Sequence, residues 1–150
     1  MMQANDLRLT FNPGTPIENP ALRGINLNIA DGEFVTVIGT NGAGKSTFLN
    51  AVSGTTRVDS GSILLNGIDV TKKSAHQRAH WVARVFQDPM AGTCEALTIE
   101  ENMALAYKRG GKRGLSFALN HNNRELFREK LSVLKLGLEN RLTDRMGLLS

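Results

Sequence analysis

Residues 39–46 read Gly39-Thr40-Asn41-Gly42-Ala43-Gly44-Lys45-Ser46, a full match to the spacing G-x-x-x-x-G-K-S. Each residue type there has a chemical reason. Glycines let a backbone turn through positive φ and bring successive N–H groups close to phosphate oxygens. A helix opening at Ser46 adds the positive end of its dipole to the same anion seat. Lys45 supplies a point charge for β- and γ-phosphates, and the Ser46 hydroxyl is placed for Mg2+. The implied ligand is a nucleoside triphosphate with its magnesium.

That chemistry needs a buried strand before the loop and a helix after it. Glu33 to Ile38 runs Glu-Phe-Val-Thr-Val-Ile, β-branched and nearly apolar, which suits a strand covered on both faces. Ser46 to Val52 reads as the helix, stopped near Gly54. Upstream, Leu7, Leu9 and Phe11 alternate with polar residues as a half-buried strand ended by Asn12-Pro13-Gly14. Ile25, Leu27 and Ile29 alternate likewise ahead of an Asp31-Gly32 turn. Ser62–Leu65 is a further strand running into Asn66-Gly67, a hairpin signal. Val82, Val85 and Phe86 suggest another buried strand, ending at Gln87, with Trp81 filling core space beside it.

Beyond Gln87 the period becomes helical. Thr98 with Glu101 forms a capping box, followed by Ile99, Met103, Ala106 and Tyr107 at helical spacing. Asn122 with Glu125 opens a second helix with the stripe Phe127, Leu131, Leu134 and Leu138. Lys108–Gly114 between them reads as a solvated basic loop. The expected organisation is 1–87, a β subdomain with the loop-bearing core, and 88–150, an incomplete helical subdomain.

The chain has 150 residues, a net charge of +4 and 41% hydrophobic residues, values of an ordinary globular domain. No concentrated stripe of Lys and Arg marks nucleic-acid binding, and no nucleic-acid partner is expected. One cysteine, Cys94, excludes an internal disulfide. His76 and His80 stand four apart, a spacing that could put both on one helical face toward a metal, but no third ligand is evident. Neither an apolar leader nor a run of about 20 apolar residues is present, which sets the expectation of a cytoplasmic protein.

Asn41-Gly-Ala-Gly-Lys-Ser-Thr47 resembles the Walker A loop of ABC transporter ATP-binding subunits. Ser60–Gly67 resembles the strand and turn after that family's first helix. Val85-Phe86-Gln87-Asp88-Pro89 resembles its Q-loop, and Leu97–Asn102 the helix that follows. The stretch Ile99–Tyr107 with the basic glycine loop is most similar to bacterial importer ATPases grouped with tryptophan/tyrosine-type binding proteins. The resemblance implies an α/β P-loop NTPase core with an antiparallel β subdomain and the start of a helical subdomain. It implies that amides of Asn41 to Ser46 hold the β-phosphate and that Thr47 reaches the α-phosphate. Lys45 and Gln87 would be the catalytic residues, with Ser46 and Gln87 at Mg2+. Phe11 would stack on adenine, against the plain alternative of a core aromatic on an edge strand.

Implied partners are a transmembrane permease, a second ATP-binding subunit and, indirectly, an extracytoplasmic binding protein. The expected place is the inner face of the cell membrane, held there by the permease. Leu149-Ser150 looks like the first two residues of the family's signature sequence. The rest of that signature, the Walker B aspartate, the catalytic glutamate and the switch histidine are expected beyond Ser150, and so are strands of the family's sheet. Weak Mg-ATP binding without turnover is therefore expected of this chain alone. A soluble ABC-type ATPase and a non-hydrolysing nucleotide-binding fragment are the alternatives.

Overall fold

A computed structural model describes residues 1–111 and 119–149. Lys112, Arg113 and Gly114 of the basic loop, and Ser150 at the signature, lie outside the described residues. The chain divides into two compact units, Met1–Ala83 and Arg84–Ser150.

The first unit is built on an antiparallel sheet. Its strands are β1 (Met2–Phe11), β2 (Asn19–Ile29), β3 (Ser60–Leu65) and β4 (Ile68–Asp69), in the order β2-β1-β3-β4. The alternation in β1 is real: Leu7 and Leu9 are buried at 0% and 2% exposure, while Arg8 between them pairs with Asp6 in solvent. Asn66 and Gly67 turn β3 into β4 with φ of 49° and 77°, the twist that a two-residue hairpin requires. Helix α1 (Lys45–Ser53) lays Phe48 and Ala51 against the sheet, in a core shared with Leu22, Ile63 and Val70. A four-residue helix, α2 (Ala75–Arg78), follows the sheet. Trp81 packs partly buried against this core, as expected.

Two expected strands do not form. Residues 33–38 carry no ladder, with Phe34 91% and Ile38 89% exposed. The run from Val82 to Phe86 likewise joins no strand ladder, with Val85 95% exposed. The physical reason is shared. A strand apolar on both faces is an interior strand of a sheet, and its partners arrive by long crossover connections rather than by a local hairpin. No such partner stands beside either run among the described residues. Instead, Val35 and Val37 face Leu22, Leu27 and Phe48 across an open groove of about 350 Å³.

The second unit joins α3 (Ile99–Tyr107) to α4 (His121–Ser132) around Ile99, Ala104, Phe127, Leu131 and Leu142. The capping box at Thr98 and Glu101 forms as expected. The second helix is capped differently: Asn120, not Asn122, accepts from the Asn123 amide, and Glu125 pairs instead with Arg128. Asn120 wins because its backbone is extended while 121–123 already turn. The stripe also ends early. The helix stops at Ser132, leaving Leu134 54% exposed. Leu138 returns to the core on a short 3-10 turn opened by Gly137 at φ 74°.

Candidate functional site

The phosphate loop takes shape from the strain its residues can absorb. Gly42 and Gly44 have φ of 83° and 84°, and Gly44 caps the amino end of α1. A Cβ at Gly44 would lie 2.5 Å from the Ala21 carbonyl oxygen of β2, so only glycine brings the loop this close to the sheet. The helix then starts at Lys45 with no side-chain cap. Among the described residues, no acceptor is bonded to the amides of Lys45, Ser46 or Thr47. Three donors at the positive end of a helix are therefore left for a ligand. Of the neighbouring amides, that of Ala43 is committed to the Thr40 carbonyl at 3.2 Å.

Lys45 is folded back over the loop. Its Nζ donates to the carbonyls of Gly39 at 2.6 Å and Thr40 at 2.7 Å. These contacts hold the ammonium above the turn, where it can exchange loop carbonyls for phosphate oxygens without crossing the molecule. Ser46 is exposed and Thr47 half-buried, both in the first turn of α1. Asn41 is exposed at the tip.

Phe11 ends β1 and is 40% exposed, half wrapped and half open. It pairs with Asn19, two residues before the Ala21 carbonyl that seats Gly44. The register thus puts the aromatic ring and the loop at the same end of β2. Asp59 steadies that end of β1: its carboxylate accepts from the Thr10 amide at 2.7 Å, and its own amide donates to the Arg8 carbonyl. Neither Asp59 nor the Ala21 carbonyl carried a sequence signal, because both act on backbone atoms distant in the chain.

Gln87 belongs to the second unit. It is exposed, directly before Asp88, whose carboxylate accepts from the Met90 amide at 2.9 Å and opens the 3-10 turn Pro89–Gly92. The structure therefore groups Gly39–Thr47 with Phe11 in one unit and places Gln87 in the other. His76 and His80 do not share a helical face. Helix α2 ends at Arg78, and His80 lies beyond it, edge-on to Trp81. No cluster of metal-ligating side chains occurs among the described residues. Cys94 is exposed, its amide and carbonyl both bonded to the Asn102 carboxamide.

The profile of the ABC transporter family matches residues 22–150. The chain is 42% identical over 137 residues to a tyrosine transport ATP-binding protein of Clostridioides difficile, covering 89% of this chain and 54% of that protein. It is 38% identical over 112 residues to an energy-coupling factor transporter ATP-binding protein of Clostridium acetobutylicum, covering 73% of this chain and 39% of that protein. It thus spans about half the length, or less, of these relatives. All of it superposes on 63% of a dimeric ATP-binding cassette in a post-hydrolysis state bound to ADP and Pi, with a TM-score of 0.78 and 25% identity. A cassette in its ADP conformation shares the fold at a TM-score of 0.72. The four-stranded sheet, the glycine loop and the helical unit are those of a P-loop ATPase cassette, and this chain belongs to the ABC transporter family, within its ATP-binding domain.

Proposed function

We propose that the chain supplies the Mg-ATP seat of an ABC importer ATPase, with Gly39 to Thr47 cradling the phosphates. The bare amides of Lys45, Ser46 and Thr47 beneath the Lys45 ammonium are the observation that carries this reading. Three oriented N–H donors and one mobile cation match a polyphosphate tail, and the exposed Phe11 ring at the same end of β2 offers a face for the base. The Ser46 hydroxyl is the loop oxygen that would hold Mg2+, neutral as suits an ion already neutralised by phosphate. Bound there, magnesium would balance charge on the phosphates. Lys45 would leave the Gly39 and Thr40 carbonyls to stabilise the γ-phosphate as negative charge moves during water attack.

In the full-length protein, the permease would receive the nucleotide state through Gln87, a second ATP-binding subunit would complete the sandwich, and an extracytoplasmic binding protein would deliver the solute. The subunit would sit on the cytoplasmic face of the membrane through its permease. Among the described residues no helix is long and apolar enough to cross it. Similarity to a protein named for tyrosine transport supports an importer.

Lys45→Ala in the full-length protein tests the seat. Loss of a charge-assisted phosphate contact should weaken ATP binding about 100-fold, read by calorimetry. Unchanged affinity in that variant would overturn the assignment.

A further inference from the structure

Arg78 is a cation where a surface residue would be ordinary, yet it is only 2% exposed. Its guanidinium spends its donors on backbone carbonyls. Nη1 reaches Ala51 at 2.6 Å and Val52 at 2.8 Å, Nε reaches Lys73 at 2.9 Å, and Nη2 reaches Thr71 at 2.9 Å. Ala51 and Val52 lie in the last turn of α1, whose carbonyls carry the negative end of the dipole, and the Ala51 carbonyl also accepts from the capping Gly54 amide at 3.2 Å. The other two carbonyls belong to the segment between β4 and α2. Burial pushes the guanidinium below its usual range and Asp69 partly opposes that shift. Arginine retains its charge nonetheless, since its ordinary value lies so far above neutrality.

Helix α1 has nine residues, about 13 Å at 1.5 Å per residue, with the phosphate loop at one end and Arg78 at the other. Phe48 near its middle and Ala51 in its last turn sit in the core. A helix this short moves as one piece, so whatever fixes its carboxyl end also fixes where its first three amides point. We propose that Arg78 is a positioning residue for the phosphate loop, acting through α1 by clamping the carbonyls at the far end of that helix. The proposal rests on reading Gly39 to Thr47 as a polyphosphate seat, and extends it to a residue outside every motif. Coupling of this kind is reciprocal. An anion bound at the amino end should tighten the clamp, and loss of the clamp should weaken the anion.

The test uses the full-length protein and three variants, Arg78→Met, Arg78→Lys and Lys45→Ala, each studied well below its melting temperature. Affinities for ATP and for inorganic triphosphate are measured by calorimetry, and amide exchange at Gly54 and Thr55 is followed with and without ATP. In Arg78→Met both affinities should fall about 10-fold, and ATP should no longer slow exchange at Gly54 and Thr55. Arg78→Lys should recover most of the affinity, because an ammonium can still reach the Ala51 and Val52 carbonyls. A lower melting temperature with unchanged affinity in the folded Arg78→Met protein would overturn the proposal. Should Arg78→Met fail to fold, exchange in the unsubstituted protein decides: slowing at Gly54 and Thr55 when ATP binds supports the clamp, and exchange there unchanged by ATP overturns it. If Lys45→Ala abolishes binding while Arg78→Met does not alter it, the clamp fails alone. If Lys45→Ala binds normally, the seat itself fails.

Discussion

The two units make their joints from different materials. In Met1–Ala83 the decisive contacts end on backbone atoms: Gly44 against the Ala21 carbonyl, Asp59 on the Thr10 amide, Arg78 on four carbonyls. In Arg84–Ser150 they are made between side chains or by caps: Glu100 with Arg124, Thr98 with Glu101, Glu125 with Arg128. A joint on backbone atoms cannot turn aside and so is intolerant of added volume. A joint between side chains tolerates volume and is sensitive to charge. The unit that carries the glycine loop is thus fixed chiefly by shape, and the helical unit chiefly by electrostatics.

The sharpest way to break this contrast is to add one carbon to the first unit. Gly61 lies on β3 at φ 92°, opposite the register slip in β1 at Asn5 and Asp6. A Cβ there would sit 2.5 Å from the Asn5 carbonyl oxygen and against that of Asp6. Neither obstacle is a flexible side chain, so the strands must separate. Gly61→Ala should cost about 4 kcal/mol or more, read as a loss of cooperative denaturant unfolding. A cost below about 1 kcal/mol would show that the bulge can relax and that shape does not govern this unit.

What was legible in the sequence follows the same division. The loop at Gly39 to Ser46 could be read because its chemistry is local: a helix start, glycines and one lysine lie within eight residues. Strands β1 to β3, the Asn66-Gly67 turn and the Thr98 capping box were legible for the same reason. Residues 33–38 and 82–86 were read as strands from their β-branched, apolar character, but a strand is a pairing and their partners are not encoded nearby. Arg78 was invisible: a basic residue in a polar segment gives no sign that two nearby carbonyls and two some 26 residues away will bury it. Glu100 carries no local signal either, standing in the first turn of α3 as a buried half of an ion pair with a residue 24 positions away.

That ion pair offers a smaller break, in the second unit. Arg124 binds Glu100 in bidentate fashion, Nε to Oε2 at 2.8 Å and Nη2 to Oε1 at 3.0 Å. The two partners differ in exposure, 7% for the glutamate side chain and 44% for the arginine. Removing the arginine strands a buried carboxylate, whereas removing the glutamate leaves an arginine that can turn to water. Arg124→Ala should therefore destabilise the unit more than Glu100→Ala does. Equal costs in thermal unfolding would show that water already reaches both partners.

The smallest effect is the most specific to charge. The Thr98 amide and hydroxyl donate to the Glu101 carboxylate at 2.8 and 3.0 Å, and these bonds hold its pKa below the usual range, the amide contributing most. A carboxylate depressed in the folded state stabilises α3 above its unfolded value, about 4.3, and that stabilisation is lost as pH falls through the folded value. Asp69, in the first unit, is lowered by its bond from the Thr71 hydroxyl and carries the same sign, so global acid unfolding would blend the two. Amide exchange along α3 separates them. Exchange there should quicken relative to Glu101→Gln below about pH 4, because the amide oxygen of glutamine still accepts from Thr98 but does not titrate. Parallel profiles for the two proteins across that range would mean that the box is held by geometry alone, as the joints of the first unit are.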